Sequence, residues 1–237
     1  MDDKEKRWKQ ARCENITSSP LGKLNTKGTK GRLWGDQACK YLWEKIYERR
    51  RHKPVRNEDN KNFRWGHEQQ PLAVAWLREN TMWNVFDCEC DGDEITFVKP
   101  WPDVKYGDSP DFYVMGDDGK IEAVGEIKCV VSQAKFEEYS MSTPADLVDE
   151  YKEQLAGHLM AHPGVDVLYY VIYDGLSVED ELDFVDVMDA GRGIIVKYTR
   201  DDFGSLIDEL EARIREADAA VDEAIRLGVK IETVLNH

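Results

Sequence analysis

Two carboxylates and one lysine lie on two short apolar segments that a turn separates. Asp111 opens the run Asp-Phe-Tyr-Val-Met, and Glu126 and Lys128 lie within Ile-Glu-Ala-Val-Gly-Glu-Ile-Lys-Cys-Val. The Gly-Asp-Asp-Gly between the runs, at 116–119, is typical of a hairpin turn. Because side chains two apart on a strand share a face, Glu126 and Lys128 are expected to point the same way, with Asp111 beside them on the adjacent strand. Such a set suits Mg²⁺ binding and phosphodiester hydrolysis.

These groups are suited to different roles in metal-dependent hydrolysis. Asp111, Glu126 and the main-chain carbonyl of Ile127 would be oxygen ligands for one or two Mg²⁺ ions, for which Mn²⁺ can substitute. The metal would neutralise a scissile phosphate and lower the pKa of a bound water. Lys128 would position that water and stabilise charge on phosphorus. The alternative interpretation is a cross-strand ion pair that contributes about 0.2–1 kcal/mol to stability.

A second group of polar residues follows in Glu-Tyr-Lys-Glu-Gln-Leu-Ala-Gly-His. Tyr151 and Gln154 are three apart and would share a helix face. The two-sided amide of Gln154 can bridge a metal-bound water and a phosphate oxygen, although a surface glutamine is the alternative. His158 lies one turn further on, and we interpret it as a helix-surface or core histidine rather than a ligand.

The elements that would position these residues are helices alternating with short strands. Helices are predicted at 35–51, 64–80, 144–161 and 202–227, with a helix start within 14–22 and a loop at 22–32. Pro71 requires the second helix to begin nearby or to kink. Strands are predicted at 94–99, 111–115, 121–130, 166–173 and 193–199. The pattern indicates an α/β (α+β) fold in which helices flank a small mixed β-sheet.

The net charge of −15 is distributed unevenly along the chain. Residues 1–70 contain 18 Lys and Arg against 10 Asp and Glu, a balance of +8, whereas the remainder has a balance of −23. A basic face near the N-terminal elements is therefore compatible with a nucleic-acid partner, and a solvated basic helix is the alternative. The apolar face of the acidic segment at 202–227 indicates a packing helix rather than an interaction module.

Length and composition limit the class of protein. The 237 residues predict one domain, 1–237, with a basic helical part at about 1–80, a sheet core at about 90–200 and an acidic helix at about 202–227. No apolar run is long enough to span a bilayer, and the first residues lack the apolar stretch of a signal peptide. Five cysteines without a CxxC pair indicate reduced thiols, so we expect a cytoplasmic protein without a membrane partner.

Taken together, the motifs resemble a known family. Ser109-Pro-Asp, Glu126-Ile-Lys-Cys and Tyr151-x-x-Gln are similar to the lambda exonuclease (YqaJ-type) branch of the PD-(D/E)XK nucleases, which have a restriction-endonuclease-like core. The segment from Arg12 to Ser19 is similar to the family's Arg followed by Ile-Thr-Ala-Ser, with the same spacing from Arg to Ser. The matching segments cover about residues 8–175.

The resemblance implies a Mg²⁺-dependent 5′→3′ exonuclease of viral or recombination function that acts on the ends of double-stranded DNA. It also implies a ring-shaped homotrimer that threads DNA, and a single-strand annealing protein as partner. Arg12, Ser19 and Ser109 match the positions that grip the 5′-phosphate in relatives. A further arginine of that pocket falls at Ala134 here, and the neighbouring Lys135 is a candidate to replace it.

One position departs from the family pattern. The glutamate that relatives place on a helix falls at Gln70, while Glu68 is about 200° away around an ideal helix. Three explanations stay open: the enzyme tolerates Gln70, Glu68 replaces the carboxylate, or activity is reduced. The rival functions are a DNA-end-binding module that has lost turnover, and another PD-(D/E)XK enzyme such as a DNA endonuclease. Nucleases of this fold that use clustered cysteines are disfavoured, because no such cluster is present.

Overall fold

A computed structural model describes residues 3–29, 32–55, 61–175 and 192–235. Its centre is a five-stranded sheet with the order β2-β4-β5-β6-β7, in which β5 and β6 are parallel and the other neighbours are antiparallel. The strands are β2 (Asn84–Asp87), β4 (Phe112–Met115), β5 (Ile121–Cys129), β6 (Val167–Asp174) and β7 (Arg192–Thr199). A separate parallel pair joins β1 (Ile16–Thr17) to β3 (Tyr106–Gly107). The predicted mixed sheet and α/β class are confirmed.

Helices cover both faces of the sheet. They are α1 (Asp3–Arg12), α2 (Leu21–Leu24), α3 (Asp36–Arg51), α4 (Lys61–Asn80), α5 (Gln133–Ser140), α6 (Pro144–Asp149), α7 (Lys152–Ala161), α8 (Arg200–Phe203), α9 (Leu206–Leu227) and α10 (Ile231–Leu235). Of these described helices, α4 packs Ala73, Val74 and Leu77 against one face, where Ile127 and Val171 lie. The other face carries α7, and α9 packs on α3 and α7, as predicted for a packing helix.

The sequences of the central strands and of the turn between them fit their positions in the sheet. Because β6 is parallel to β5 and covered on both faces, its run Val-Leu-Tyr-Tyr-Val-Ile-Tyr is buried almost throughout. The β4–β5 turn closes through the N–H of Gly119, which donates to the carbonyl of Gly116 at 2.9 Å. Gly119 has a φ of 77°, a conformation that glycine adopts without steric cost. The predicted hairpin is therefore confirmed.

Several predicted boundaries are wrong. The strand at 94–99 is reduced to one antiparallel bridge between Val98 and Asp108. The helix at 144–161 is two helices, α6 and α7, and Tyr151 is the N-cap of the second. The helix at 202–227 begins only at Leu206, because Gly204 with a φ of 46° separates it from α8.

The N-terminal predictions also need correction. The predicted helix start within 14–22 is present, since the single turn of α2 begins at Leu21 after Pro20, but the unpredicted short strand β1 precedes it. Helix α4 runs through Pro71 instead of beginning near it. Strand β2 and helix α5 were not predicted from the sequence. Residues 30–31 of the predicted loop and 176–191 of the predicted core lie outside the described residues.

The basic charge of α3 is partly neutralised inside the protein. Arg49, with a side chain only 3% exposed, pairs with Asp218 at 2.5 Å and Asp222 at 2.9 Å on α9. It also donates to the carbonyl of Glu14 at 2.9 Å, and Glu14 has a φ of 74°. Arg49 thus connects α9 to the turn that leads from α1 into β1. The cations of α3 that remain exposed are Lys40, Arg50 and Arg51.

Gly125 makes room for an aromatic ring beside Glu126. A Cβ atom at this position would lie 2.1 Å from the ring of Phe112, which faces it across the β4–β5 ladder and is fully buried. Gly125→Ala is therefore expected to lower the free energy of unfolding by about 1–3 kcal/mol, because the core has to be overpacked. Urea denaturation measures the loss. Gly164→Ala is the control, since a Cβ there meets nothing within 4 Å, and an equal loss in both variants would contradict this reading.

None of the helices in the described ranges is both long and apolar enough to cross a membrane.

Candidate active site

Glu126 lies at the centre of a buried polar cluster on the α7 face of the sheet. Its Oε1 accepts from Lys128 Nζ at 2.5 Å and from Gln154 Nε2 at 2.6 Å. Its Oε2 lies 2.9 Å from His158 Nε2. Glu126 and Lys128 share the same face, as the two-residue spacing predicts.

The charges around Glu126 keep it ionised. Burial alone would raise the pKa of Glu126, but Lys128 and His158 lower it to about 2. Burial likewise opposes the charge of Lys128, and the carboxylates of Glu126 and Asp111 raise its pKa. The carboxylate and the ammonium are therefore a charged pair at neutral pH.

Asp111 reaches the same cluster from the start of β4. Asp111 directly precedes β4, and its N–H donates to the Gly125 carbonyl at 3.0 Å. Its Oδ2 accepts from the Ile127 N–H at 2.7 Å. Burial, followed by the charge of Glu126, raises the pKa of Asp111 well above its usual range. The two carboxylates are thus close enough to repel each other, which a cation would relieve.

The helix residues complete the surroundings of Lys128. Gln154 Oε1 accepts from Lys128 Nζ at 3.2 Å while its amide nitrogen binds Glu126. The Lys128 ammonium lies 4.6 Å from the centroid of the Tyr151 ring. Tyr151 is a helix cap and not part of the helix face, yet it meets the same lysine as Gln154.

The cluster contains one residue that the sequence did not single out, Asp108, and one that it did not place in the site, His158. Asp108 is fully buried beyond the end of β3, and both of its oxygens lie 3.0 Å from His158 Nδ1. His158 is therefore a core histidine, as interpreted, but one that bridges two carboxylates. Its position four residues after Gln154 is the one signal that could have placed it, because residues i and i+4 share a helix face. Nothing in the local sequence distinguishes Asp108.

Two of the residues predicted to bind a 5′-phosphate, Arg12 and Ser109, are joined by Trp8. The Arg12 guanidinium stacks on the Trp8 ring at 4.5 Å, and the Trp8 indole N–H donates to Ser109 Oγ at 2.9 Å. Ser109 in turn donates to the Thr96 carbonyl at 2.6 Å. Burial lowers the pKa of Arg12, while Asp108, Glu126 and Asp111 act in the opposite direction. Arg12 is thus within electrostatic reach of the carboxylates.

The two serines after β1 differ in environment. Ser18 is buried, and its hydroxyl lies 2.8 Å from the hydroxyl of Tyr106, whereas Ser19 is exposed. Ser18 also hydrogen-bonds to Asp108 and helps to lower the pKa of that carboxyl, which burial alone would raise. Ser18 is therefore attached to the interior of the cluster, and Ser19 is the hydroxyl that faces solvent.

Lys135 and the two candidates on α4 lie apart from the Glu126 contacts. Lys135 Nζ pairs with Glu138 at 3.0 Å and stacks on Tyr139. Glu68 is exposed, and Gln70 is half-buried next to Gln69, which is buried. Helix α4 packs on the face opposite to the side chains of Glu126 and Lys128, and near Gln70 its Trp65 donates to the carbonyl of Val130, just beyond the end of β5.

The residues present fit a hard divalent cation. Within the described ranges, no three His, Cys, Asp or Glu side chains form a ready metal-binding group. Mg²⁺ needs only one or two carboxylates because it retains several waters, and Asp111 and Glu126 meet that requirement. The Ile127 carbonyl is a suitable further ligand, since it faces the same side of β5 as the N–H that binds Asp111.

The fold of this chain is shared with solved exonuclease structures, in agreement with the predicted fold class. No protein-family profile and no curated protein matches the sequence. Among solved structures, the chain is similar to the alkaline exonuclease LHK-Exo from Laribacter hongkongensis, with a TM-score of 0.69 and 24% identity over 94% of this chain and 95% of that one. LHK-Exo in complex with dAMP gives a TM-score of 0.69 and 23% identity over the same shares of the two chains.

A phage-related exonuclease from Haemophilus somnus 129PT is also similar. It gives a TM-score of 0.63 and 15% identity over 90% of this chain and 95% of that one. At these identities the likeness shows the fold, and it agrees with the resemblance to the lambda exonuclease branch. The roles of the individual side chains rest on the geometry of the cluster.

Proposed function

We propose that this protein is a metal-dependent deoxyribonuclease that digests linear double-stranded DNA in the 5′→3′ direction and exposes single strands for recombination by annealing. One observation carries the proposal: Asp111, Glu126 and Lys128 meet at one buried point, with Gln154 bound to both partners of the Glu126–Lys128 pair. A surface ion pair would have neither this burial nor these additional bonds. The exonuclease neighbours with the same fold support the class of reaction.

The cluster assigns a role to each group. Asp111, Glu126 and the Ile127 carbonyl would hold Mg²⁺ or Mn²⁺. When bound, the metal supplies charge neutralisation at the phosphate and a water of lowered pKa. Lys128 orients the attacking water, and its ammonium stabilises negative charge on the phosphate oxygens. Gln154 fixes Lys128 against Glu126, and the Tyr151 ring covers the ammonium from the other side.

End recognition would use the residues around Trp8. Arg12 offers a bidentate fork for a 5′-phosphate, and Ser109 and Ser19 offer hydroxyl groups. Lys135 belongs to this proposal as a more distant cation. A ring-shaped homotrimer and a single-strand annealing partner are further parts of the proposal, supported by the resemblance. Analytical ultracentrifugation tests the trimer.

The test of the function separates binding from hydrolysis. A linear duplex labelled at either its 5′ or its 3′ ends is incubated with Mg²⁺ or Mn²⁺, and end binding is measured in parallel with Ca²⁺. Early release of the 5′ label supports the proposal, and early release of the 3′ label contradicts its direction. End binding without release in either metal would favour the end-binding module. Gln70 supports that alternative, because it stands where relatives have a glutamate.

The α4 residues give a prediction within this function. Because Glu68 is exposed and about 200° around the helix from Gln70, Glu68→Gln is expected to leave the digestion rate within about twofold. The resemblance puts Gln70 at the helix position of the metal site, so Gln70→Ala is expected to lower the rate by about tenfold, the lower end of the loss typical of outer partners. Initial rates on the same linear duplex measure both. A large loss of digestion rate in Glu68→Gln alone would show that Glu68, and not Gln70, replaces the family's helix glutamate.

A further inference from the structure

A buried ion pair stands behind Glu126 and takes no part in the reaction outlined above. Asp108 lies on a segment between β3 and β4, His158 on α7 and Glu126 on β5, so the three residues connect three separate elements. The side chains of Asp108 and His158 are 0% and 1% exposed. Neither can touch DNA in this arrangement, and their effect has to pass through Glu126.

The hydrogen bonds determine the state of the imidazole. Nδ1 faces the Asp108 carboxylate at 3.0 Å and Nε2 faces Glu126 Oε2 at 2.9 Å. A neutral imidazole donates from only one nitrogen, so only the doubly protonated ring satisfies both carboxylates. The ring is therefore a fixed double donor.

The two oxygens of Glu126 have different access. The Lys128 side chain at Oε1 is 27% exposed, whereas His158 at Oε2 is closed off from solvent. A cation that approaches Glu126 enters from the Lys128 side, where Asp111 also lies. His158 can retain Oε2 throughout, so the carboxylate keeps one fixed oxygen while the other exchanges partners.

We propose that Asp108 and His158 are positioning residues that hold the Glu126 carboxylate in the orientation that binds the divalent metal. The proposal rests on the nuclease function above. It goes beyond that function because it makes the metal affinity of the site depend on two residues that contact neither the metal nor DNA. Asp108 fixes the imidazolium, and the imidazolium fixes Oε2 of Glu126.

The decisive variant is Asp108→Asn/His158→Gln, because it removes one negative and one positive charge together. The net charge of the site is then unchanged, and because His158 lies nearer to Glu126 than Asp108 does, weaker cation binding has to come from the lost hold on Glu126. Isothermal titration calorimetry with Mn²⁺ alone, without DNA, measures the affinity. We expect binding about 10–100-fold weaker than that of the wild type, the range typical of lost outer-shell partners. The Mn²⁺ concentration for half-maximal digestion should rise in parallel.

A matched control removes another buried pair. Lys45 and Glu48 form an ion pair at 2.6 Å on α3 with side chains 8% and 10% exposed. Lys45→Met/Glu48→Gln is likewise balanced in charge and should bind Mn²⁺ as the wild type does. Circular dichroism and thermal unfolding establish that each variant is folded.

The outcomes separate the two proposals. Wild-type protein that neither binds Mn²⁺ nor digests DNA would overturn the function and this inference with it. Wild-type protein that does both, with unchanged Mn²⁺ affinity in the double variant, would overturn the inference alone. If the double variant does not fold, His158→Gln alone decides: added negative charge by itself would tighten Mn²⁺ binding, whereas loss of positioning weakens it.

Discussion

Lys128→Ala is expected to lower the rate of digestion of 5′-phosphorylated linear duplex by at least about 10²–10³-fold, the range found when one preorganised charge-stabilising group is removed. Lys128 is the only one of the proposed reacting side chains that brings positive charge to the cluster, through its contact with Glu126 at 2.5 Å. Initial rates at saturating Mg²⁺ measure the effect. The metal is kept saturating because the Lys128 ammonium competes with the metal for Glu126, and its removal also changes the metal affinity.

The fold should survive this change. Glu126 retains its bonds from Gln154 and His158, so circular dichroism of the variant should match the wild type. Lys120→Ala is the matched control, because Lys120 lies in the same β4–β5 hairpin with an exposed side chain paired to Asp118. Undiminished digestion by Lys128→Ala, or an equal loss in Lys120→Ala, would refute the role given to Lys128.

Arg49→Met is expected to have the largest effect on stability. Its guanidinium is almost fully buried against Asp218, and removing one partner of a buried ion pair typically costs about 3–5 kcal/mol because the other charge stays buried. The variant also loses the bond to the Glu14 carbonyl, which holds the turn between α1 and β1. The free energy of unfolding from urea titration measures the loss.

Two comparisons make that test specific. Arg226→Met removes an exposed ion pair with Glu223 on the same helix α9 and should leave the unfolding midpoint unchanged. Arg49→Met/Asp218→Asn removes both buried charges and should recover part of the stability. Equal unfolding midpoints for the Arg49 and Arg226 variants would show that the buried ion pair contributes no more to stability than the exposed one.

The meeting of the reacting side chains was predictable because residues two apart on a strand point to the same face of the sheet. The spacing of Glu126 and Lys128 and the hairpin turn before them place both on one face opposite Asp111, and the structure brings these three together. The contact between Gln154 and Lys128 joins elements far apart in sequence. Only the resemblance to a family linked those segments beforehand.

The failures have physical causes as well. Residues 94–99 have the composition of a strand, but their hydrogen bonds go to separate loop partners: the Thr96 N–H donates to Cys88 and the Thr96 carbonyl accepts from Ser109. In the part of the chain that the structure describes, no neighbouring strand extends along residues 94–99, and strand composition alone does not supply one. Asp108 was missed for a similar reason, since its partner His158 lies on a distant helix and only the fold brings them together.

The most direct test of the proposed function compares two duplexes of the same sequence, one linear with 5′-phosphates and one a sealed circle. Nucleotide release is followed with Mg²⁺ and with EDTA in place of the metal. A metal-dependent nuclease that starts at ends should digest the linear duplex in Mg²⁺ only and leave the circle intact. Digestion of the sealed circle, or digestion of the linear duplex that persists in EDTA, would contradict the account.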